Sequence, residues 1–148
     1  MMRDTVGSER QPTSDDLLIS SILFDEMLAH CRKGYPNEAC GILAGKDRMV
    51  TRTYAMTNTE GSPLSYLMDP SEQFRVMKDM RSSDLIMLAI FHSHPSSRAF
   101  PSAKDVSLAF YDDCVYVIVS LAEETPVVKG FSIRDGEVGE IAVRVVSP

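Results

Sequence analysis

The run LIMLAIFHSH, residues 85–94, continues into PSSRAFPSAKD, residues 95–105, and this stretch decides how the chain is read. Residues 85–91 are apolar without a break, the mark of a strand buried on both faces. His92 and His94 close it. Residues i and i+2 of a strand point the same way, so both imidazoles converge on one point. Open α/β sheets place their sites at the carboxyl ends of their strands. A catalytic zinc usually takes three protein ligands and keeps one position open. Asp105 is the natural third group: it lies in the first turn of a helix opened by Ser102, and loop 95–101 folds it back over the strand end. The spacing Ser102-x-x-Asp105 is also a capping box, which needs no metal. The two readings compete for one carboxylate.

Working outward, residues 21–33 are expected to form a helix, with Leu23, Phe24, Met27, Leu28 and Cys31 on one face. Lys33, Gly34 and Pro36 stop it. His30, late in that helix, faces solvent or the helix dipole in this reading. Two short strands follow, 39–45 and 49–56, joined by a turn at GKDR. The polar stretch 57–69 is irregular. Asp69-Pro70-Ser71-Glu72 starts a second helix, with Asp69 as cap and Glu72 completing a capping box. After the 85–94 strand, Ser102 opens a helix running to about Tyr111. Residues 114–121 form another buried strand, and 127–134 and 138–146 a hairpin turning at Asp135-Gly136. The order α-β-β-α-β-α-β-β-β, with central apolar strands, predicts a three-layer α/β/α sandwich with a mixed sheet. Residues 1–16 read as a polar, disordered tail, and residues 17–148 as one domain.

Composition agrees with this and narrows the function. The chain has 148 residues, 44% of them apolar and 24% charged, ordinary for a globular domain. Fifteen basic against 21 acidic residues leave a net charge of −6. The basic residues are scattered, so nucleic acid, which requires a basic face, is not expected as a partner. No segment is long and apolar enough for a bilayer span, so no membrane partner is expected. Three cysteines, Cys31, Cys40 and Cys114, without paired spacing, argue against a disulfide framework and for a reducing, cytoplasmic setting.

His92-Ser93-His94-Pro95 with Ser102 and Asp105 resembles the signature of the JAMM (MPN-plus) zinc metalloprotease family. That signature is His-x-His, seven residues, Ser, two residues, Asp, with a Glu far upstream. Asn37-Glu38-Ala39-Cys40-Gly41-Ile42-Leu43 is similar to the upstream Glu segment. The resemblance covers about residues 20–146. It implies the JAMM/MPN fold, related to the cytidine deaminases. It also implies one zinc ion per chain held by His92, His94 and Asp105, with Glu38 as general base and Ser102 as a hydrogen-bond donor to the developing oxyanion. Asn58, Ser62-Pro63, Tyr66 and Asp69 resemble the middle segment of the short bacterial single-domain branch. That branch includes sulfur-carrier-protein–cysteine peptidases, which cleave after the carrier's C-terminus. The implied activity is hydrolysis of an amide bond after the C-terminal Gly-Gly of a small ubiquitin-like or sulfur-carrier protein, cysteine release being one form. The alternative is a non-catalytic MPN scaffold, as in relatives that have lost the ligands. A nucleoside deaminase would need His-x-Glu and Pro-Cys-x-x-Cys, and the chain has neither.

Overall fold

The computed structural model describes residues 2–4 and 11–148. Its elements are β1 (Met2–Asp4), β2 (Leu17–Ser20), α1 (Ser21–Gly34), β3 (Cys40–Lys46), β4 (Met49–Met56), α2 (Pro70–Ser82), β5 (Ile86–His94), α3 (Ala103–Ser107), β6 (Val115–Ser120), β7 (Val127–Arg134), β8 (Glu137–Ile141) and β9 (Val143–Val146). The strands form one mixed sheet in the order β1-β9-β2-β4-β3-β5-β6-β7-β8. Pairs β2/β4, β2/β9 and β5/β6 are parallel. The apolar run lies at the centre as β5, between β3 and β6.

Alternation along these strands splits the interior in two. Leu43, Phe91, Val117 and Val119 face α1, which contributes Phe24, Met27 and Cys31. Ile42, Ile90, Ile118 and Phe131 face the other way and meet Met80, Val76 and Met77 of α2. Helices on both faces of a mixed sheet give the expected three layers. Each large side chain so buried contributes about 1.5–3 kcal/mol. Ser20 caps α1 by accepting from the Leu23 amide, and Asp69 caps α2 by accepting from the Ser71 amide. At Asp135-Gly136 both residues have positive φ, 51° and 78°, as a two-residue hairpin turn requires.

Five expectations change. Residues 1 and 5–10 of the expected disordered tail lie outside the described residues. Within them, Met2–Asp4 pairs antiparallel with β9, and Asp16 is buried in an ion pair with Arg144 of β9. Strand β2, only four residues long, lacked the length to register as a strand. The single strand expected at 138–146 is two. They are split at Ala142, with β8 beside β7 and β9 between β1 and β2. The sheet curls until these regions meet: Ala142 alone separates β8, at one end of the sheet, from β9, next to the other, and a Cβ at Gly130 of β7 would lie 3.0 Å from Val143 of β9. Helix α3 stops at Ser107, short of Tyr111: the Leu108 amide closes it on the Lys104 and Val106 carbonyls, and none of its five residues is fully buried. Finally, the Glu72 carboxylate does not close a capping box. It accepts from the Thr57 amide and hydroxyl, both at 2.7 Å, and fastens the 57–69 loop to α2.

Candidate active site

Strand pairing sets the site. In β5, His92 lies opposite Cys40 of β3 and beside Ile118 of β6, and His94 lies beside Ser120. The Ser93 amide donates to the Ala39 carbonyl, and the Ala39 amide donates to Ser93 Oγ. These bonds lock the residue after Glu38 against the His-x-His strand. Loop 57–69 holds Glu38 from the other side: its amide donates to the Ser62 carbonyl, and its carbonyl accepts from Asn58 Nδ2. Asn58 also donates to the Ser65 carbonyl and accepts from the Glu60 and Leu67 amides. Tyr66 of the same loop stacks on the His92 ring, with centroids 4.6 Å apart.

His92, His94 and Asp105 come together. His94 Nε2 lies 3.1 Å from His92 Nε2 and 3.0 Å from Asp105 Oδ2, which is 3.2 Å from His92 Nε2. The capping box is present too. Asp105 Oδ2 accepts from the Ser102 amide at 2.9 Å, while Ser102 Oγ accepts from the Asp105 amide at 3.0 Å. The two readings of Asp105 are therefore compatible. The cap aims the carboxylate, and the aimed oxygen meets both imidazoles. Ser102 Oγ, used as an acceptor, keeps its own proton to donate.

The donor set asks for a cation. His94 Nδ1 faces the Arg98 carbonyl at 2.9 Å, which only an N–H satisfies. A neutral His94 then presents a bare lone pair at Nε2, and its nearest partner is a carboxylate oxygen. Two acceptors 3.0 Å apart need a cation between them, a proton or a metal ion; without a metal, burial disfavours the charged ring, but the Asp105 carboxylate outweighs it and raises the pKa of His94. A tetrahedral zinc with bonds of about 2.0–2.1 Å holds its ligand atoms little more than 3 Å apart, close to the spacing seen. The second imidazole nitrogen resting on a backbone carbonyl is a common support for a metal-bound histidine. His92 Nδ1 has no hydrogen-bond partner.

Electrostatics separate the carboxylates. Burial pushes Glu38 up to about 7, with the charge of Asp105 adding to the shift and that of His94 opposing it. Its Oε1 is buried and unpaired, as suits a group that binds and releases a proton. Burial also pushes Asp105 up, but the two imidazoles and the Ser102 amide outweigh it and hold the carboxyl far below the usual range. Burial holds His92 neutral. A cleft of about 310 Å³ opens on the α1 side of Glu38, lined by His30, Lys33, Asn37, Thr57, Asn58 and Gly61 among others. His30, expected to face solvent or the helix dipole, is half-buried at the edge of this cleft. Its Nε2 lies 3.0 Å from the Cys40 carbonyl and its ring meets Phe91 edge-on. The cross-strand role of Ser93 was missed, since it depends on register. The only sequence signal for it was its place between the two histidines.

Known proteins share this fold and much of this sequence. The profile for prokaryotic homologs of the JAB domain matches residues 20–133. A CysO-cysteine peptidase of Mycobacterium tuberculosis is 40% identical over 141 residues, spanning 93% of this chain and 96% of its own. A desampylase of Haloferax volcanii is 34% identical over 115 residues, spanning 73% and 83%. The solution structure of protein DSY2949 from Desulfitobacterium hafniense superimposes with a TM-score of 0.82 at 43% identity, covering 89% of this chain and 94% of that one. The chain belongs to the prokaryotic JAB-domain family. It is a JAMM-type peptidase, a hydrolase of peptide or isopeptide bonds.

Proposed function

We propose that this peptidase hydrolyses the amide bond after the C-terminal Gly-Gly of a small ubiquitin-like or sulfur-carrier protein, with one zinc ion held by His92, His94 and Asp105. The observation that carries the reading is the convergence of three ligand atoms within 3.2 Å beside a buried, unpaired Glu38 carboxylate. Zinc, when bound, supplies Lewis acidity toward the scissile carbonyl and an acidified water at neutral pH. The protein's own groups do the rest. Glu38 accepts the water's proton and passes it to the leaving amine. Ser102 Oγ donates toward the developing oxyanion, a contact typically worth about 3–4 kcal/mol in similar sites. Tyr66 fixes the plane of the His92 ring. Asn58 fixes the backbone that carries Glu38.

The carrier substrate is supported by the relative's name as a CysO-cysteine peptidase, and deconjugation by the desampylase. A scaffold without chemistry would have no use for a desolvated glutamate beside a ligand triad. The reading also places the reaction in the cytoplasm, where the buried thiols Cys31, Cys40 and Cys114 stay reduced.

Access sets the specificity. A thin, extended tail reaches a metal at the end of a buried strand, and a short tail buries too little area to bind tightly alone. The whole carrier conjugate should therefore be a much better substrate than its tail peptide. The test compares kcat/KM for a Gly-Gly-ending ubiquitin-like carrier joined to cysteine with that for a matching tail–cysteine peptide. Preference for the carrier by about a hundredfold or more is expected. Equal rates would make the enzyme a small-peptide hydrolase.

A further inference from the structure

Two charges flank Glu38 without belonging to the metal triad. Lys104, between Ser102 and Asp105 on α3, points its Nζ at Glu60 Oε1 across 3.6 Å. Glu60 belongs to loop 57–69, so the pair spans the gap between the metal-bearing helix and the facing wall. Both charges are felt at the Glu38 carboxylate. Glu60 is held in place: its amide donates to Asn58 Oδ1, and its Oε1 accepts from the Ser65 hydroxyl. Lys104 is held only loosely. The separation is longer than a direct hydrogen bond, and the two side chains are 52% and 37% exposed. Pairs of this kind contribute little, so one carboxylate replaces another at small cost. Of the other cations near this site among the described residues, Arg98 lies over the Phe100 ring and Lys33 lines the cleft on the other side of Glu38.

We propose that Lys104 selects the leaving group: its ammonium takes the α-carboxylate of a single amino acid joined through its amine to the carrier's last glycine, displacing Glu60. This rests on the carrier reading above and says which conjugates it favours. The reaction is plain amide hydrolysis. The glycine carbonyl–nitrogen bond breaks, water's oxygen joins the carbonyl carbon, and a proton goes to the departing amine. In an amino-acid leaving group the carboxylate carbon is two bonds from that nitrogen, so it lies beside the base. In a protein lysine linked through its side chain, no carboxylate lies so near. A cation beside Glu38 therefore favours the free amino acid, and Glu60 occupies the carboxylate position between turnovers.

The probes are a Gly-Gly-ending ubiquitin-like sulfur carrier joined to cysteine and the same carrier joined to cysteine amide, which lacks the carboxylate. The ratio of kcat/KM, acid over amide, is measured for the wild type, Lys104→Met, Lys104→Arg and Lys33→Met. Lys33 lines the cleft on the other side of Glu38. Calorimetric Kd values for both probes on Glu38→Gln and on Glu38→Gln/Lys104→Met give the same comparison without turnover. A charge-assisted contact predicts a wild-type ratio of about ten to a hundred. It should fall to about one in Lys104→Met, be largely kept in Lys104→Arg and be unchanged in Lys33→Met, with the Kd ratio following. A wild-type ratio near one, a ratio that survives Lys104→Met, or one lost in Lys33→Met overturns the assignment. If both adducts are cleaved equally, only the role of Lys104 falls. If neither is bound or cleaved, the carrier reading falls and takes this one with it.

Discussion

Asp105 shows how one residue does two jobs. Its Oδ2 caps α3 through the Ser102 amide and, by being held there, meets His92 and His94. Asp105→Asn keeps an oxygen for the cap but loses the charge. It should cost about 1 kcal/mol of stability or less, while zinc affinity falls steeply. Zinc titration beside a denaturation curve separates the two effects, and intact affinity would return Asp105 to a purely structural role. Glu38 makes a prediction of opposite sign to the usual carboxylate. Burial raises its pKa from 4.5 to about 7, so the folded protein holds this proton more tightly than the unfolded chain. Its contribution to stability is present below about pH 4.5 and is lost as pH rises through about 7. In metal-free protein, Glu38→Gln should match the wild type in Tm near pH 4 and exceed it near pH 8. A gap that stays constant across that range would mean the glutamate is not desolvated as described. Of this residue-level picture, the triad and Glu38 were legible from spacing and resemblance. The compatibility of cap and ligand was not, because it depends on one oxygen having three neighbours.

The element that matters most is one without regular structure. Loop 57–69 is tied to α2 by Glu72 through Thr57, and to the start of β3 by Asn58 and Ser62. It thus positions the backbone of Glu38, the proposed base, while Tyr66 leans on the His92 ring. Asn58→Ala removes a side chain that makes four hydrogen bonds, each with a net worth of about 0.5–1.5 kcal/mol. We expect retained zinc with kcat/KM lower by about tenfold or more. Unchanged kinetics would mean that the loop holds Glu38 without Asn58. Sequence periodicity found the long helices and the buried strands because their apolar patterns are complete within each segment. It failed where long-range pairing decides. Strand β2 exists because β4 and β9 leave a parallel slot for it, and the break at Ala142 exists because the chain must cross from one part of a curled sheet to another.

At the scale of the molecule, the site is an appendage to a core that does not need it. Two apolar clusters on opposite faces of the sheet supply the stability, and the proposed metal ligands sit at one end of β5 and in a five-residue helix. Metal removal should therefore abolish turnover while leaving a cooperatively folded protein, unlike small domains that unfold without their ion. The most direct test of the central claim, that Glu38 moves the proton at a zinc centre it does not ligate, is a single paired measurement on Glu38→Gln. Zinc per chain and turnover of a carrier–cysteine adduct are determined on the same preparation. The prediction is one zinc per chain, as in the wild type, with turnover reduced by at least about a thousandfold. Full zinc with substantial turnover would place the base elsewhere, and loss of zinc together with turnover would make Glu38 part of the metal site.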